Sequence, residues 1–77
     1  MLLTYPEIRD RIYTLARKHN LRVDWIESGR STRTLHLYDS RQVLVARAVV
    51  PVRRMDPVPL ADLAYNLEGV FGEGWMN

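Results

Sequence analysis

The chain has 77 residues, no cysteine and a formal net charge of +2. This length allows one domain spanning residues 1–77, and the missing cysteines exclude a disulfide framework and a thiolate metal site. A composition of 47% hydrophobic and 26% charged residues is that of a globular domain, not of a disordered segment. No apolar run approaches the ~20 residues of a membrane helix. The start, Met1-Leu2-Leu3-Thr4-Tyr5-Pro6-Glu7, lacks the basic-then-apolar pattern of a signal peptide. The expected location is therefore cytoplasmic.

Thr4 followed by Glu7, with Pro6 between them, is a helix-start pattern. Apolar positions at Tyr5, Ile8, Ile12, Leu15 and Ala16 then repeat at helical spacing, with Glu7, Asp10, Arg11, Thr14, Arg17 and Lys18 on the other side. The cations collect where the helix dipole is negative, and Asn20 suits a left-handed closing residue. The first helix is expected over residues 5–19.

From Arg22 to Glu27 the pattern changes to a period of two, and a strand is expected there. Ser28-Gly29-Arg30-Ser31 is a turn, and Thr32 to Tyr38 forms a second strand. Asp39-Ser40-Arg41-Gln42 turns the chain into a valine-rich third strand, Val43 to Val52. Pro51 has no N–H to give to a ladder, which places this strand at an edge or frays its end. Asp56-Pro57-Val58-Pro59 opens a last helix, with Asp56 as its cap. Leu60, Leu63, Ala64, Leu67, Val70 and Phe71 form its apolar stripe, and Gly72 ends it. Trp75 is expected to fold back onto the domain.

The expected fold is thus α+β, in the order α-β-β-β-α, with a three-stranded antiparallel sheet and two helices packed on one face. Ile8, Ile12, Leu15, Val23, Trp25, Leu35, Leu37, Leu44, Ala46, Ala48, Val50, Leu60, Leu63, Leu67 and Phe71 are the expected core. Strand alternation then turns Ile26, His36, Tyr38, Val43, Val45, Arg47 and Val49 to the face without helices. A solvated sheet face is normally polar, and contiguous apolar surface of this kind marks interfaces. These seven residues are the expected partner-binding site, for another protein or for a second copy of the chain as a homodimer. Pairing between third-strand edges is another route to self-association, which Pro51 and Arg47 keep short.

Charge is spread unevenly. Residues 1–54 hold all eleven Lys and Arg against five acids, a balance of +6, and residues 55–77 hold four acids and no cation, a balance of −4. An alternative partner is RNA or DNA, held by a basic hairpin and helix end: Arg30, Arg33, Arg53 and Arg54 with Arg17 and Lys18.

The element order resembles that of double-stranded-RNA-binding domains and of small toxin ribonucleases of the HicA type. The first family grips phosphates with lysines at the start of its second helix, where this chain reads Asp56-Pro57-Val58-Pro59-Leu60-Ala61-Asp62. The second carries a catalytic histidine after a Gly-Ser pair. Here Ser28-Gly29 is followed by Arg30, and His36 comes later, within Arg33-Thr34-Leu35-His36-Leu37. Neither set of functional residues carries over.

No other chemistry is legible. His19 and His36 lie on different elements without metal-ligand spacing. Ser28, Ser31 and Ser40 fall in turns, outside any nucleophile context. Gly72-Glu73-Gly74 follows a helix and so makes no phosphate loop. No catalytic residue, metal or cofactor is expected. The sequence points to a non-enzymatic interaction module of regulator or inhibitor type, the kind carried by mobile elements, with nucleic-acid binding second and a small toxin-type ribonuclease behind it.

Overall fold

The computed structural model describes residue 2 and residues 4–77. Five elements follow in the order expected: α1 (Tyr5–Lys18), β1 (Arg22–Ser28), β2 (Thr32–Tyr38), β3 (Leu44–Pro51) and α2 (Pro57–Phe71). The three strands form one antiparallel sheet in the order β1-β2-β3.

Thr4 caps α1. Its hydroxyl accepts from the Glu7 amide at 3.4 Å and donates to Glu7 Oε1 at 2.9 Å. The helix closes as its sequence suggests, with Asn20 at φ 57° and the Leu21 amide donating to the Ala16 carbonyl. Asp56 stands at the N-cap of α2 but makes no side-chain cap bond. Pro59 at N3 has no N–H, so of the two amides a cap side chain can accept from only that of Val58 remains. The Asp56 carboxylate instead lies 3.8 Å from Arg54 Nε.

Both helices pack on one face of the sheet. Ile8, Ile12 and Ala16 of α1, and Leu60, Leu63, Leu67 and Phe71 of α2, meet Leu35, Leu37, Ala48 and Val50 in one buried cluster. Each fully buried aliphatic side chain stabilises the fold by about 1.5–3 kcal/mol relative to exposure. Trp25 adds a polar link, its indole N–H donating to the Tyr13 hydroxyl of α1 at 2.8 Å.

Two expectations for the core change. Leu44 is exposed. The ladder runs Leu37 to Ala46 and then Tyr38 to Leu44, so Leu44 and Val45 together oppose one residue of β2. This bulge turns both side chains to the open face, where simple alternation puts Leu44 under a helix. The second change is an addition to the core: Trp75 folds back as expected and carries Met76 with it. Gly72 and Gly74, both at positive φ, turn the chain back after α2 and bury Trp75 and Met76. The Trp75 indole donates to the Ala64 carbonyl at 3.0 Å, and its ring meets Phe71 edge to face. Arg11 of α1 clasps the tail, donating to the Trp75 and Asn77 oxygens at 2.7 and 2.9 Å. The Leu2 amide donates to the Met76 carbonyl. The tail therefore joins the helical layer and leaves the far side of the sheet bare.

Candidate binding face

The face opposite the helices carries most of the exposed large aliphatic residues. Ile26, Leu44, Val45 and Val49 are 40–46% exposed, and neighbouring Val50, on the other side of the same strand, is fully buried. Ile26 follows the inward Trp25 onto this face, and a second bulge, where the β1–β2 register slips between Trp25 and Glu27, sets Glu27 on the same face opposite Thr34. Val43 lies just before β3, in a turn built on Asp39, whose carboxylate accepts from the Arg41 and Val43 amides.

The centre of the face is polar. Asp24, His36 and Arg47 form one row across the three strands. His36 Nδ1 lies 3.1 Å from the Tyr38 hydroxyl, and the two rings meet edge to face. The Arg22 guanidinium sits 4.5 Å above the Tyr38 ring centre, donates to Gln42 Oε1 and lies 3.7 Å from an Asp24 oxygen. Arg47 has no ion pair or hydrogen-bonding side-chain partner among the described residues. Six of the seven expected partner-binding residues, Ile26, His36, Tyr38, Val45, Arg47 and Val49, thus share the open face, while Val43 lies outside β3, where the bulge that turns Leu44 outward breaks the alternation that would have placed it there. Leu44 belongs with them, and sequence alternation misses it because nothing local signals the bulge.

A groove of about 350 Å³ borders this face at the β3 edge, between Val49, Pro51 and Thr32 on the sheet and Pro59, Asp62 and Asn66 on the flank of α2.

The arginines of the nucleic-acid alternative divide. Arg30 occupies the β1–β2 turn, and Arg33 lies over the Tyr5 ring at 5.3 Å. Arg53 and Arg54 follow β3 at the same end, where the Val52 amide donates to the Ser31 carbonyl. Arg17 and Lys18 end α1, whose start is beside Arg33 and whose C-cap His19 stacks on Phe71 at the far end of α2. A 14-residue helix is about 21 Å long, so the six cations form two groups and not one patch. This corrects the combined hairpin-and-helix-end site.

Among the described residues there is no group of three or more His, Cys, Asp or Glu placed to hold a metal ion. No helix among them is long and apolar enough to cross a membrane. The class the fold defines is a small α+β domain with an open antiparallel sheet. Comparison with known proteins adds no relative: no family model matches the chain, and no curated protein or solved structure matches it either.

Proposed function

We propose that the chain is a non-enzymatic interaction module of regulator or inhibitor type, which docks a protein partner on its open sheet face. One observation carries this reading: four large aliphatic side chains, Ile26, Leu44, Val45 and Val49, stand exposed on the face opposite the helices and the tail. A sheet face in water is normally polar, and exposed aliphatic groups on both sides of a charged central row give the mixed surface of a docking site. Arg47 in that row and Arg22 beside it offer planar guanidinium groups suited to carboxylates and stems that pack on apolar surface.

The test is affinity capture from the producing cell with the parent chain and with Ile26→Asp, both checked for folding by circular dichroism. The expected result is a protein retained by the parent and lost by the variant. Identical retention by a folded Ile26→Asp would reject the face as the docking site.

Nucleic acid is the second reading. Its support is the gathering of Arg30, Arg33, Arg53 and Arg54 at one end of the sheet. Phosphate binding of this kind weakens steeply with salt. Retention of a short RNA duplex on a filter at low salt, lost on raising the salt, is the expected signature; no retention at low salt removes this reading.

A further inference from the structure

We propose that the occupant of the open face is the same face of a second copy of this chain, in a sandwich whose two-fold axis runs along β2. This rests on the docking reading above and names the partner. The charge pattern of the face carries it.

The row Asp24–His36–Arg47 puts a negative group on one edge strand and a positive group on the other, at one level of the ladder. Two facing copies can be related by a two-fold axis in the interface plane, either across the strands or along them. An axis across the strands would set Arg47 on Arg47 and Asp24 on Asp24, and such like-charge contacts are costly. An axis along β2 exchanges β1 with β3 and keeps each level. It sets Arg47 over Asp24 of the second copy and, by symmetry, Asp24 over Arg47. Arg47 has no ion-pair partner among the described residues, so the second copy supplies one, and Asp24 adds it to Arg22.

The apolar residues fit the same operation. The next row runs Glu27–Thr34–Val49, with Ile26 bulged out beside it. The rotation brings Glu27 and the bulged Ile26 beside it over Val49 of the other copy, with Ile26 the apolar contact at the mouth of the groove that Val49 shares with Pro51 and Pro59. One row the other way, Leu44 and Val45 fall over the stem of Arg22, which lies along the Tyr38 ring. Each exposed aliphatic group of β3 thus meets a side chain of β1, Ile26 with Glu27 or the stem of Arg22, and not its own image. Two sheets packed this way stand about 10 Å apart with their strands within about 30° of each other.

Standard strand spacings give three strands of seven or eight residues a footprint of roughly 14 by 25 Å. That is smaller than the ~800 Å² per partner of a standard interface, so the association is weak and follows concentration.

Sedimentation velocity over a rising concentration series tests the proposal. The parent is expected to move from 9.0 kDa towards twice that mass. Asp24→Arg alone and Arg47→Asp alone are each expected to stay monomeric. The combined swap, which restores opposite charges across the axis, is expected to recover the dimer. Tyr65→Ala, exposed on α2 away from the face, serves as the control and should associate like the parent. A parent that stays at 9.0 kDa at its highest soluble concentration overturns the proposal, as does a single reversal that dimerises normally. If the parent is monomeric and Ile26→Asp still loses a captured protein, the docking reading stands and only the second-copy assignment falls. If the parent dimerises but neither the reversals nor Ile26→Asp affects dimerisation or capture, both readings fall.

Discussion

Val49 and Val50 are neighbours of the same residue type on the same strand, yet Val49 is 46% exposed and Val50 is fully buried. The two faces of the sheet divide along this line. On the inner side Leu35, Leu37, Ala48 and Val50 join both helices and the tail in one cluster. On the outer side Ile26, Leu44, Val45 and Val49 remain 40–46% exposed. Burial stabilises only what leaves water, so the inner residues account for folding. The outer ones contribute strand propensity and remain available to a partner. A chain of this size buries only about 60% of the surface its unfolded form exposes, which leaves little margin on the inner side and makes apolar surface outside it informative.

The contrast can be broken most severely from the tail. Trp75→Ala removes a buried ring wedged against Phe71 together with a bond to Ala64, and should cost about 3–5 kcal/mol in urea denaturation. A loss below about 1 kcal/mol would show that the tail is not part of the core. Next comes the pair within β3. Val50→Ala should cost about 2 kcal/mol, and Val49→Ala should stay within about 0.5 kcal/mol of the parent, as an exposed site does. Equal losses would mean that the two faces are not as different as their exposures indicate. The smallest expected effect is at the helix start. Thr4→Ala removes the α1 cap at a cost of about 1 kcal/mol, seen as a lower denaturation midpoint with capture unaffected. A change in capture would tie α1 to the docking surface.

Most of this division is legible in the sequence. The alternation of Leu35 and Leu37 with Thr34, His36 and Tyr38 sets the phase of β2, and the stripe Leu60, Leu63, Leu67, Phe71 marks the buried side of α2. Two features are not legible, for different reasons. The bulges at Ile26 and at Leu44–Val45 depend on cross-strand register, and no glycine or proline stands at either to announce them. The first keeps Ile26 where alternation puts it; the second moves Leu44 to the other face. The tail depends on fit between distant parts. The glycines after α2 suggest a turn, but the seat for Trp75 is made by Ala64, Phe71 and Arg11 together, and no local pattern encodes it. The arginines show the same limit: their number is plain from composition, while their division between two ends of the molecule follows from the direction of α1.

One comparison tests the central claim most directly: thermal unfolding and self-association of Val49→Asp beside Val50→Asp. An unpaired carboxylate is tolerated in water and strongly destabilising in a core. Val49→Asp should therefore melt near the parent and lose association, and Val50→Asp should fail to fold. A Val49→Asp chain that unfolds, or that folds and associates like the parent, would contradict an open face built for docking.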